Sequence, residues 1–192
     1  MEKLVYIDAC VRDEESRTKR IAEPIVKELS NRYEVERITL NELKLEVVQK
    51  EKLKERMNGH IEEPILTYSK HIASADRIVI ASPFWDMGIP ACLKAFLELC
   101  SLFTVTFNDD GTKCVGLCKA KKMLYITTRG MNIETGSELE QATPYLKALS
   151  WLWGIGPLTT IECHNMDYRS PEDIEKQIQK AINEGKKLAL TF

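Results

Sequence analysis

The residues with the most chemistry in this chain follow an apolar run. Ile78-Val79-Ile80-Ala81-Ser82 breaks into Pro83-Phe84-Trp85-Asp86-Met87-Gly88-Ile89-Pro90. Two rings and a thioether there form an apolar platform for a flat aromatic ligand, whose polar rim can meet backbone N–H groups of the loop. The same residues would also serve as core or as a dimer seam. A second group, Cys10-Val11-Arg12-Asp13-Glu14-Glu15-Ser16-Arg17-Thr18, places hydroxyls and arginines just before a helical pattern. Helix starts offer unpaired N–H groups and a positive dipole, so this is a candidate anion site. Its plain alternative is a helix cap by Ser16 with solvated charges. Asp13, Glu14 and Glu15 would repel a dianion unless they point outward. A third group, Thr127-Thr128-Arg129-Gly130-Met131, adds donors and a glycine that permits close backbone approach. An ordinary strand-to-loop turn would read the same way.

Elements must bring these groups together. The run at Arg77–Ser82 is short, β-branched and without alternation, the pattern of a strand buried on both faces. Pro90 suits the first turn of a helix over Ala91–Phe103. Further strands are expected at Lys3–Asp8, Glu34–Leu40, Lys122–Thr128 and Leu158–Cys163. Helices are expected at Ser16–Asn31, Glu63–Ser74, Glu138–Trp153 and Ser170–Leu190, the last opened by Ser170-Pro171-Glu172-Asp173. Residues 43–58 read as a charged excursion with some helix, and Phe107-Asn108-Asp109-Asp110-Gly111-Thr112 as a turn in a small hairpin-like insertion. Strands alternating with helices imply parallel pairing and right-handed crossovers. The expected fold is α/β, a three-layer, doubly wound parallel sheet of five strands in the order 2-1-3-4-5, with residues 1–192 as one domain. The loops after the first, third and fourth strands then meet at the switch point, and each suits one part of flavin mononucleotide (FMN).

Composition sets the boundaries. The 192 residues carry 27 Lys plus Arg against 29 Asp plus Glu, a net charge of −2 that argues against a dedicated nucleic-acid binder. No apolar stretch approaches the length of a membrane span, and Met1-Glu2-Lys3-Leu4 shows no signal-peptide pattern, so a cytoplasmic location is expected. The six cysteines, at 10, 92, 100, 114, 118 and 163, contain no Cys-x-x-Cys pair and lack the spacing of common zinc sites.

At these three loops the sequence resembles the FMN-dependent NAD(P)H azoreductases and quinone reductases of the flavodoxin-like superfamily. Ser16-Arg17-Thr18 stands at that family's phosphate loop, with Cys10 near its earlier serine. Pro83 to Pro90 matches the ring-holding segment, and Thr128-Arg129-Gly130-Met131 the closing segment. Lys94-Ala95-Phe96-Leu97-Glu98, Phe103-Thr104-Val105-Thr106-Phe107 and Thr143-Pro144-Tyr145-Leu146 are also similar. Three positions depart from the pattern: Asp86 replaces an asparagine, Met131 the second glycine and Cys10 the serine.

The resemblance implies an oxidoreductase in which hydride passes from NADH or NADPH through FMN to a small aromatic acceptor of the quinone or azo type. The cofactor carries that chemistry, so no catalytic side chain is required. The expected FMN-binding residues are Cys10, Ser16, Arg17, Thr18, Pro83, Phe84, Trp85, Asp86, Met87, Thr128, Arg129, Gly130 and Met131. Thr128, Arg129 and Gly130 would face the side of the ring where reduction builds negative charge. His164 and Tyr168, after the last strand, are secondary candidates for the ring or a proton. A homodimer is also implied, with the Ala91–Phe103 helix and the Trp151–Trp153 region as candidate interface or ordinary core. Neither a nucleic acid nor a membrane is an expected partner. The rival readings are a flavodoxin-like electron carrier and a non-catalytic regulatory domain that has lost the cofactor. An iron–sulfur flavoprotein would need a compact cysteine cluster.

Overall fold

Short runs rich in Val, Ile and Leu form the central strands, as their lack of alternation demands for strands covered on both faces. The computed structural model describes residues 1–192. It contains β1 (Glu2–Asp8), β2 (Tyr33–Thr39), β3 (Arg77–Ala81), β6 (Lys122–Thr128) and β7 (Leu158–Cys163) in one parallel sheet. The order is β2-β1-β3-β6-β7. Between β3 and β6 lies a small antiparallel hairpin, β4 (Phe107–Asp109) and β5 (Cys114–Gly116). Counted without the hairpin, the order is the expected 2-1-3-4-5.

Successive strand residues face opposite sides, so the sheet separates two apolar cores. Val5, Ile7, Ile78, Ile80, Met123 and Tyr125 point to one side. There α3 (Glu63–Ser74), α4 (Ala91–Cys100) and α5 (Ala142–Trp153) contribute Ile72, Phe96, Leu97, Leu146 and Trp153. Leu4, Tyr6, Val79, Leu124 and Ile126 point to the other side. They meet Ile21, Ile25 and Leu29 of α1 (Arg17–Leu29) and Ile178 and Ile182 of α6 (Pro171–Ala189). Full burial of each such aliphatic side chain contributes about 1.5–3 kcal/mol.

Three sequence expectations change, while the helix expected within residues 43–58 is present. Pro90 has φ −59° and ψ 149°, so it precedes the first helical residue of α4 instead of occupying the first turn. That helix ends at Cys100, not Phe103, because Ser101 and Thr106 take over the local hydrogen bonding: Ser101 Oγ donates to Leu97 O at 2.9 Å, and Thr106 Oγ1 accepts from Leu102 N at 2.9 Å. The charged excursion contains α2 (Lys50–Met57), whose Arg56 guanidinium donates to the carbonyls of Glu98 and Leu99. It therefore covers the C-terminal carbonyls of α4, where a cation is favoured. Finally, α5 starts at Ala142 rather than Glu138, since the Glu140 carboxylate caps it from outside by accepting from Thr143 N at 2.8 Å. The sequence had also grouped Trp151 with Trp153, but the two separate. Trp153 is fully buried with Nε1 3.1 Å from Ser101 Oγ, whereas Trp151 is 71% exposed. No helix is long and apolar enough to cross a membrane.

Candidate functional site

Because the strands are parallel, the loops leaving β1, β3 and β6 emerge at one edge, and backbone bonds knit them. Ala9 N donates to Ala81 O at 2.9 Å, Ser82 N to Ile126 O at 3.1 Å and Phe84 N to Thr128 O at 3.2 Å. The hydroxyls of Thr18 and Thr128 lie 2.7 Å apart, joining the first loop to the third. Between the loops lies a cavity of about 180 Å³. The first loop lines it with Arg12, Glu15, Ser16, Arg17 and Thr18, the second with Pro83, Phe84 and Trp85, and the third with Thr128 and Gly130. Asp167, from the loop after β7, completes the wall.

The first loop forms an anion-seeking end. Ser16 caps α1, its Oγ accepting from Lys19 N at 3.2 Å. The N–H groups of Arg17 and Thr18 open the helix and find no acceptor in the chain. Unpaired donors at a helix start favour an anion. The acidic neighbours are drawn into ion pairs of their own. Asp13 and Glu14 lie 2.8 and 3.5 Å from Lys19 Nζ, and Glu15 lies 3.3 Å from Arg12. The hydrogen bond that Lys19 donates to Asp13, with the charges of Asp8, Asp13 and Glu14, raises the pKa of the Lys19 ammonium against partial desolvation. Cys10 stands off the cavity wall. Its Sγ is buried 3.8 Å from Ala81 O, and burial beside the Asp8 carboxylate pushes the thiol far up.

The second loop forms an apolar end. Trp85 N donates to Gly88 O at 3.1 Å and Gly88 N to Trp85 O at 2.8 Å, closing a tight turn. Its central residues Asp86 and Met87 have φ of 47° and 65°, the signature of a type I′ turn. Asp tolerates the left-handed region; a methionine there is uncommon and strained. The turn leaves Trp85 and Met87 half-exposed while Phe84 is buried. Asp86 and Met87 lie beyond the cavity wall, and Met87 O accepts from Gln141 N at 2.9 Å.

In the third loop the side chains of Arg129 and Met131 also stand off the wall. Arg129 is fully buried, with Nη1 2.7 Å from Glu162 Oε2 and 2.8 Å from Ile133 O, and Nη2 2.8 Å from Thr135 Oγ1. A second carboxylate, Glu140, lies 3.8 Å away. The guanidinium lies 5.2 Å from the centre of the Phe84 ring and so supports the platform from behind. Gly130 remains on the wall, and its missing side chain matters. A Cβ there would lie 1.9 Å from Asp167 Oδ2.

Asp167 is the site residue that the sequence did not disclose. The loop after β7 is zipped to the loop after β6, with Asn165 N donating to Met131 O, Met166 N to Arg129 O and Asp167 N to Gly130 O at 2.8–3.1 Å. Asp167 Oδ1 then lies 2.9 Å from Arg17 Nη1. Only the pairing of β7 with β6 brings it there, and no local motif signals it. His164 and Tyr168 do not line the cavity; Tyr168 is exposed and His164 Nδ1 is buried without a partner.

Unpaired N–H groups, the Ser16 and Thr18 hydroxyls, two arginines each paired to a carboxylate of the wall, the rings of Phe84 and Trp85 and the bare Gly130 line one cavity, a set that fits a flat ring with a phosphate tail. Comparisons with known proteins show the family and the cofactor that its relatives' names carry. The family model for the flavodoxin-like fold matches residues 2–188, and the chain belongs to this family. Among its relatives, the FMN-dependent NADH:quinone oxidoreductase of Clostridium beijerinckii is 33% identical over 201 residues, with 100% of both chains covered. The enzyme of that name from Clostridium perfringens is 33% identical over 198 residues, covering 97% of this chain and 100% of its own. An FMN-dependent NADH-azoreductase from Bacillus anthracis, solved in complex with FMN, shares the fold with a TM-score of 0.82 at 23% identity, over 100% of this chain and 99% of that one.

Proposed function

We propose that this chain is an FMN-dependent NAD(P)H oxidoreductase acting on quinone- or azo-type aromatic acceptors. The observation that carries the reading is the cavity at the sheet edge, which Arg17 and Thr18, with free N–H groups, line together with Phe84 and Trp85. Its relatives' names and its family point the same way.

FMN, when bound, supplies hydride acceptance from NADH or NADPH and electron delivery to the acceptor. The protein's part is binding and orientation. Ser16, Arg17 and Thr18 hold the phosphate through N–H groups, hydroxyls and one guanidinium. Pro83, Phe84 and Trp85 carry the ring, Phe84 shutting water from the floor and Trp85 standing at the open edge. Thr128 and Gly130 close the third side with a hydroxyl and a backbone that can come close. Arg129 acts through Phe84 and the loop it anchors. Cys10, Asp86, Met87 and Met131 contribute through the backbone their loops present.

The whole chain, 1–192, works as one domain, in the cytoplasm and as a homodimer. Dimerisation is supported by exposed Phe103 and Trp151, large apolar side chains uncovered in a single copy. Sedimentation at several concentrations tests it.

The deciding experiment is the visible spectrum of the purified protein, followed by anaerobic addition of NADH or NADPH. Flavin bands that bleach with either nucleotide are expected. Bands that resist both would favour an electron carrier. No bands, even after incubation with FMN, would leave a scaffold without its cofactor and end this reading.

A further inference from the structure

We propose that Asp167 tempers the phosphate end of the cavity: it holds Arg17 in an ion pair that a phosphate must break, so it weakens binding of FMN and leaves binding of the bare ring unchanged. The inference rests on the FMN reading above. Asp167 Oδ1 lies 2.9 Å from Arg17 Nη1, and both side chains line the cavity. The contact spans the mouth between the first loop and the loop after β7.

The carboxylate is built into place. Asp167 N donates to Gly130 O at 3.0 Å, and Oδ2 rests where a side chain on residue 130 would begin. Yet the pair is easily opened, since its side chains are 37% and 63% exposed and exposed pairs are weak and screened by salt. Asp167 is also the only carboxylate paired with Arg17. The nearby acids Asp13, Glu14 and Glu15 already have Lys19 and Arg12 as partners.

A phosphate near neutral pH carries close to two charges and three acceptor oxygens, and can engage a guanidinium with two parallel bonds. It meets the free N–H groups of Arg17 and Thr18 at the same helix start. A carboxylate offering Arg17 one contact is displaced by it. Asp167 then remains as a like charge beside the phosphate and weakens its hold. Riboflavin, with the same ring and no phosphate, leaves the ion pair intact. The carboxylate thus lowers affinity for FMN without touching affinity for the ring.

The test is flavin-fluorescence quenching on the full-length apoprotein with FMN and with riboflavin, comparing wild type with Asp167→Asn and Asp167→Ala. One unit charge removed near 4 Å in water is worth roughly fivefold in affinity. Both variants should therefore lower the dissociation constant for FMN by about fivefold and leave that for riboflavin unchanged. The gain should shrink at high salt. Equal tightening of both flavins would overturn the proposal by showing a merely steric wall. Unchanged or weaker FMN binding in both variants would overturn it by showing that Asp167 does not compete. Wild type that binds neither flavin would overturn the FMN reading itself, and this proposal with it.

Discussion

Two arginines, one in each of two loops, differ in what they are free to do. Arg17, in the loop that opens α1, is part-exposed, has one exposed carboxylate partner and faces the cavity. Arg129, in the loop after β6, is fully buried with Glu162 and Glu140 beside it and two further acceptors on its nitrogens. Sequence patterning placed both at the cofactor, Arg17 at the phosphate and Arg129 beside the reduced ring. A buried charge must be matched within the fold, and the Nη1 and Nη2 atoms of Arg129 are held by Glu162, Ile133 O and Thr135 while its Nε is buried without a partner. A part-exposed charge keeps its hydration and can exchange partners. Arg129 is therefore architecture and Arg17 is chemistry.

The largest expected effect tests the architectural side. Arg129→Ala leaves Glu162 and the fully buried Glu140 without their cation and should cost about 3–5 kcal/mol in urea unfolding. A loss below about 1 kcal/mol would break the distinction, because exposed pairs such as Arg17–Asp167 lie in that range. Arg17→Gln should reverse the pattern, weakening FMN binding about tenfold through a lost charge-assisted hydrogen bond while stability barely changes. Trp85→Ala should weaken FMN binding by about three- to tenfold, the worth of one aromatic contact. Unaltered quenching titrations would remove Trp85 from the site.

The thiols carry the same contrast in a smaller effect. Burial raises Cys100 and Cys118 from 9.0 to about 12, and Cys163 from 9.0 to about 11. The folded chain thus holds these protons more tightly than the unfolded one. Their stabilisation is complete below pH 9 and is lost as pH climbs from 9 toward 11 and 12. The urea midpoint should fall across that window, and at neutral pH a thiol reagent should label exposed Cys114 first. Smallest of all is Asp86→Asn. Both residues tolerate the left-handed backbone observed there, so FMN affinity should hold or improve slightly. A large loss would reveal a contact made by the Asp86 carboxylate itself.

Strands were legible because burial on both faces leaves an unbroken apolar run, as in Arg77–Ala81. Helix ends were less so. Glu140 caps α5 by its side chain and Arg56 covers the last carbonyls of α4, and neither contact leaves a local pattern. The three loops could be found because each follows a strand of recognisable type. Asp167 could not be placed, since its partner Arg17 is 150 positions away, and Arg129 could not because its burial against Glu140 and Glu162 depends on how the following loop folds back. A guanidinium in a loop looks the same in sequence whether it faces solvent or two carboxylates.

The bond between Thr18 and Thr128 joins residues 110 positions apart. It has a consequence for the order of assembly. Closing so long a loop is entropically slow and waits on the strands between. The third wall of the cavity comes with β6, and Asp167 only after β7 has paired at the sheet's edge. While the chain is being synthesised, nearly all of it must emerge before a complete cavity exists. A bound cofactor would therefore stabilise the finished sheet over its precursors, and retention of flavin becomes a report that folding has reached the last strand.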